Sequence, residues 1–154
     1  MHLAQLNIAR LKYDFEDPRV ADFANNLDLV NGIAERSDGF VWRFVDDGGA
    51  NAIDARVFDD PAVIVNMSVW QTPEHFEHFV WNTVHKRFYQ RRAVWFSIME
   101  KQHFAMWWVE DGHEPTVAEA KARLDHLDRH GDSDFAFGWS HLPHVKLWQQ
   151  ARCA

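Results

Sequence analysis

Along the 154 residues, apolar patterns fall in the order strand, helix, strand, strand, helix, strand, helix. That order predicts an α+β fold, a ferredoxin-like βαββαβ sandwich with an extra C-terminal helix. Hydrophobic residues make up 47% of a chain of single-domain length, enough for one buried core without disulfides or metals. Strands two, three and four are apolar on both faces, so the sheet face that such a sandwich leaves without helices also needs a cover. A second copy of the sheet is the economical one, and a homodimer through that open sheet face is expected.

The elements follow in order. Residues 3–10 alternate imperfectly and are short enough for a first strand. Asp17-Pro18 then supplies a capping side chain followed by proline at the first helical position. Val20, Phe23, Ala24, Leu27, Val30, Ile33 and Ala34 recur at three- and four-residue spacing, which makes one apolar helix face, and Ser37-Asp38-Gly39 ends it. Residues 40–45 read as a strand with Phe40, Trp42 and Phe44 on one face and Val41, Arg43 and Val45 on the other. Asp46-Asp47-Gly48-Gly49 is a turn, and residues 50–60 give no single pattern.

Residues 63–70 are β-branched and apolar enough for a central strand. Val63, Val65, Met67 and Val69 take one face; Ile64, Asn66, Ser68 and Trp70 take the other, where Asn66 and Ser68 must find hydrogen-bond partners or line a cavity. Thr72-Pro73-Glu74 restarts a helix, which the pattern carries to about Met99 with a bend near Asn82-Thr83. FAMWWV, residues 104–109, is the fourth strand. Thr116 with Glu119 matches a capping box and opens a third helix through about His130, on a narrow stripe of Val117, Ala120, Leu124 and Leu127. Residues 1–130 thus form the domain. Residues 131–154 are a tail, with a short strand at 135–138, that packs on its own or the partner subunit.

A net charge of -7 and a pI near 5.7 argue against nucleic acid and against anionic membranes, both of which need a positive field. No apolar run approaches membrane-spanning length, and the N-terminus lacks a basic region followed by an apolar one. Cys153 is the sole cysteine, so no intrachain disulfide forms. The expectation is a cytoplasmic protein whose partners are small molecules and its own copies.

Eight tryptophans and ten histidines mark the chemistry. The inner stripe of the second helix would carry Trp81, His85, Phe88, Tyr89, Arg92, Trp95, Phe96 and Met99, which is how an aromatic-walled pocket with a few polar groups is built. On one helix His85 and Arg92 differ by about 20° and stand about 10 Å apart, with Tyr89 between them. His85 would serve as general base, or as a metal or heme ligand, because histidine alone titrates near neutrality unperturbed. Arg92 would anchor a carboxylate or phenolate with its planar fork. The structural alternatives are a buried His85 bonded to Asn66 or Ser68 and an ion-paired Arg92. Asn7, Asn66 and Ser68 could orient a substrate carbonyl or be satisfied within the sheet. Trp70, Trp95 and Trp107 would line the pocket or fill the core, and adjacent Trp107 and Trp108 point to opposite faces. His126 and His130 share a helix face, with His141 and His144 following. Leu127 stands where a zincin motif needs glutamate, so this reads as a solvated face and no metal is expected. The basic run Lys86, Arg87, Arg91 and Arg92 points in several directions. No GxSxG, P-loop or Rossmann glycine pattern is present.

The stretch VWQTPEHFEHFVWNTVH, from Val69 to His85, resembles the strand-to-helix signature of the dimeric α+β barrel superfamily, which includes antibiotic biosynthesis monooxygenase-like proteins. More narrowly, AQLNIARL, NMSVW, HKRFYQRRAVWF and WWVEDGHEPTVAEAKARL resemble an uncharacterised bacterial domain-of-unknown-function family, over residues 3–130. The resemblance implies the barrel fold; superfamily members range from cofactor-independent monooxygenases to heme proteins and binding modules, so the residues must choose the chemistry. The small heme-degrading members use an asparagine on the first strand, which Asn7 matches, with a tryptophan and a histidine on the central helix. Here the tryptophan position falls on Phe79, Trp81 comes two residues later, and His85 lies about one turn early.

The resulting expectation is a cofactor-independent monooxygenase-like enzyme for an aromatic or polyketide-like molecule. His85 would be the base, and Arg92, Tyr89, Asn7 and Asn66 would orient the ligand against Ser68, Trp70, Trp81, Phe88, Trp95 and Trp107. One alternative is a heme protein with His85 as axial ligand. The other is a non-catalytic module for an apolar metabolite.

Overall fold

The computed structural model describes residues 1–14, 16–45, 63–82, 96–97, 103–142 and 145. Strand β1 (His2–Leu11) is the centre of an antiparallel sheet. On one side it pairs with β3 (Val63–Trp70), and β3 in turn with β2 (Phe40–Arg43). Its other edge is shared. The strand β5 (Phe104–Val109) covers residues 2–7 of β1, and the two-residue β4 (Phe96–Ser97) covers Arg10 and Leu11.

β4 corrects the long second helix. Helix α2 (Pro73–Asn82) has its described end at Asn82, and Phe96 and Ser97 are extended, so one stripe cannot run to Met99. The cause lies in β1, which outlasts β5. The amide of Ile8 donates to the His103 carbonyl at 2.9 Å, and beyond it Arg10 and Leu11 need backbone partners that helical residues could not provide.

Helix α1 (Ala21–Glu35) begins as the sequence predicts, through a 3₁₀ turn at Pro18–Val20 whose cap, Asp17, accepts from the Arg19 amide at 2.8 Å. The Arg19 guanidinium also binds this carboxylate, at 3.0 and 2.8 Å, and these bonds hold Asp17 down at about 2. A lowered carboxyl pKa contributes stability that is present above the ordinary range and lost as pH falls through the folded value. A carboxyl ¹³C titration should place Asp17 near 2, and Arg19→Gln should return it toward 3.8.

A β-bulge between Phe40 and Trp42 corrects the second strand. Strict alternation puts Phe40, Trp42 and Phe44 on one face. The extra residue instead leaves Phe40 and Arg43 on the side of Trp70 and Ser68, and packs Val41, Trp42 and Phe44 on the other side.

Both sheet faces carry helices of the chain, the second over only part of its width. On the first, α1 and α2 bring Val30, Ala34, Phe76, Phe79, Val80 and Trp81 onto Leu3, Trp70 and Met106. On the second, helix α3 (Val117–His130) lays Val117, Ala120, Leu124 and Leu127 over Ala4, Leu6, Ala105 and Trp107. The expectation that one face relies on a second copy therefore changes: α3 covers the β1 and β5 half of it. On the β2 and β3 half, Val41, Trp42, Phe44, Val63 and Val65 are half-buried. In the described part of the tail, Phe137 exchanges backbone bonds with Met106 of its own chain (2.8 and 2.9 Å) and Trp139 stacks on Phe76 and Phe104.

Thr116 caps α3 by accepting the Glu119 amide at 3.1 Å. The Glu119 carboxylate accepts from Trp107 Nε1 at 3.0 Å and lies 2.7 Å from His113 Nε2, which ties the helix start to the sheet. Among the described residues no helix is long and apolar enough to cross a membrane.

Candidate functional site

Three cross-strand rows build the sheet surface under α1 and α2. The first is apolar, Phe40, Trp70, Leu3 and Trp108; the second is Arg43, Ser68, Gln5 and Met106; the third is Asn66, Asn7 and Phe104. A polar patch therefore sits inside a frame of rings. Trp70 stacks on Phe79 at 5.2 Å and meets Phe40 edge-on at 5.5 Å, while Trp139 lies against Phe76 at 5.2 Å and Phe104 at 5.7 Å.

Hydrogen bonds join the patch. Gln5 Nε2 donates to Ser68 Oγ at 2.8 Å and to Asn66 Oδ1 at 2.9 Å, and Trp70 Nε1 donates to Ser68 Oγ at 2.9 Å. Gln5 and Ser68 are buried, Asn7 is half-buried and Asn66 is exposed, so the array runs from the core out to solvent. Arg43 binds Glu35 at the end of α1, with Nε 2.6 Å from Oε1. Ser68→Ala would leave the Gln5 amide and the Trp70 indole N–H without their buried acceptor. A loss of about 1–3 kcal/mol is expected in urea unfolding, against little for exposed Asn66→Ala.

Of the residues singled out from sequence, Asn7, Asn66, Ser68 and Trp70 come together here. Trp81 packs nearby, its ring 6.2 Å from Trp139. Trp107 does not join them; it lies under α3 on the opposite face. His85, Phe88, Tyr89, Arg92 and Trp95 lie outside the described residues, as do His144 and the basic run. Sequence reasoning missed Gln5 and Arg43. Gln5 shares the parity of Leu3 and Asn7 on β1 and could have been placed by alternation, whereas Arg43 reaches this face only through the bulge.

Elsewhere, a shallow cleft of about 270 Å³ is lined by Met1, Trp108, Val109, Glu110, His113, Glu119 and Arg123. Three of its polar groups serve internal bonds, Glu119 and His113 those above and Arg123 one to the Phe135 carbonyl at 2.9 Å. His126 and His130 lie with ring centroids 4.6 Å apart and planes tilted by 46°. Among the described residues no group of three or more His, Cys, Asp or Glu is placed to hold a metal ion.

The model of a domain of unknown function, DUF3291, matches residues 2–153. The chain belongs to that family. Among solved structures, a protein of unknown function from Nitrosomonas europaea is similar to this DUF3291 chain at 13% identity, with a TM-score of 0.47, over 75% of this chain and 93% of that one. No curated protein matches it.

Proposed function

We propose that this chain binds a small, largely apolar aromatic molecule against the α1 and α2 side of its sheet. The observation that carries the reading is the hydrogen-bonded Gln5, Asn66, Ser68 and Trp70 array inside an aromatic frame, since small-molecule sites combine apolar walls with a few placed polar groups. The strand order β2-β3-β1-β5, antiparallel throughout and with helices following β1 and β3, supports a ferredoxin-like sandwich of the dimeric α+β barrel kind. In that reading the partner seats on the half-buried Val41, Trp42, Phe44, Val63 and Val65. Within it, the chemistry is a cofactor-independent, monooxygenase-like reaction with His85 as base and Arg92, Tyr89 and Asn7 orienting the ligand.

Titration with naphthalene-ring compounds, followed by tryptophan emission, tests the binding step. Saturable quenching with one site per chain is expected, and the absence of saturable binding by any of them would sink it. The catalytic step predicts that His85→Ala binds but does not turn over. A turnover rate flat between about pH 5 and 8 counts against His85 as the base.

A further inference from the structure

We infer that the polar patch recognises its ligand by donating hydrogen bonds, and that the group it selects is an uncharged carbonyl-type oxygen on an aromatic ring. This rests on the binding reading above and adds the polarity of the site.

A serine hydroxyl has two acceptor lone pairs and one proton to donate. Both lone pairs of Ser68 Oγ are taken, one by Gln5 Nε2 at 2.8 Å and one by Trp70 Nε1 at 2.9 Å. The indole N–H can only donate, so this direction is fixed by chemistry. What Ser68 has left is its proton. Asn66 leans in the same sense, because its Oδ1 accepts from Gln5 at 2.9 Å, which fills one of that oxygen's two acceptor sites, while its NH₂ group keeps both protons for an outside partner. Asn66 is exposed, which puts this donor at the open end of the array, with Asn7 directly across the strand pair.

Gln5 is the element that polarises the row. From a buried position it spends one NH₂ group on both neighbours, filling an acceptor on each and turning the outward capacity of the pair toward donation. The cation in the same row, Arg43, is already held by Glu35, so the row carries little net charge for a carboxylate. Two neutral donors beside a wall of rings suit the oxygen of an aryl ketone, quinone or similar carbonyl. They discriminate against a hydrocarbon of the same shape, which would leave the buried Ser68 hydroxyl proton unpaired.

Three probes of one ring size test this: 2-acetylnaphthalene, 1-(2-naphthyl)ethanol and 2-ethylnaphthalene, each titrated into the full-length protein with tryptophan emission as readout. The ketone should bind about tenfold more tightly than the ethyl compound, the ratio that one good hydrogen bond supplies, with the carbinol between them. In Asn66→Ala, which removes the exposed donor and leaves the buried array in place, the ketone should lose several-fold in affinity while the ethyl compound keeps its own, which shows that the apolar site is intact. Should that variant fail to fold, the wild-type ranking alone decides. Equal affinity for ketone and ethyl compound, or tighter binding of the ethyl compound, overturns the donor assignment and leaves the binding reading standing. Failure of all three to bind overturns both.

Discussion

Trp70→Ala is expected to cost about 3–5 kcal/mol in equilibrium unfolding, the range for removing a large ring from a packed core. Trp70 has no exposed surface, stacks on Phe79, meets Phe40 and Phe76, and donates its indole N–H to Ser68. The substitution therefore opens a cavity beneath α2 and releases the Ser68 oxygen at once. Trp70→Phe separates the two effects, since it keeps most of the ring and loses the N–H; about 1–2 kcal/mol is expected for it. Because small domains retain only about 5–15 kcal/mol in total, the alanine variant should be largely unfolded at temperatures the wild type tolerates.

The second large effect is at Gly39. Its φ is +82°, and a Cβ placed there would overlap the His75 imidazole, which is pinned by a 2.8 Å contact between Nδ1 and Thr72 Oγ1. Gly39→Ala thus combines a left-handed backbone cost of about 1–2 kcal/mol with a steric one. The two are separable. Adding His75→Ala should recover the steric part and leave the backbone part, and unfolding of the two single variants and the double variant measures the coupling. Strict additivity would show that the ring does not set the cost at this turn.

Much of the fold was legible because local signals agreed with tertiary demand. The proline-led start of α1, the alternation of β3, the capping threonine of α3 and the strand FAMWWV each satisfied one requirement at a time. The failures came where a distant segment decided. Nothing near Val41 announces a bulge; it follows from matching β2 to β3, and it carries Arg43 onto the polar face. Phe96 fits a helical stripe well, yet the backbone of Arg10 and Leu11 recruits it, with Ser97, as a strand. In the candidate site, Asn66, Ser68 and Trp70 were visible as a polar interruption in an apolar strand. Gln5 has the right parity on β1, but its part in the site shows only once its partners on β3 are known.

The backbone exchange between Met106 and Phe137 bears on solubility. FAMWWV is uncharged, aromatic and six residues long, the composition that templates stacking when its edge is bare. One edge of β5 is paired with β1, and the clasp at Met106 occupies the middle of the other, with the 3₁₀ turn at Trp139–His141 following on. A strand blocked at its midpoint offers no run of free amides long enough for a foreign strand to register against. The segment after α3 therefore guards the chain against self-association through its most adhesive strand.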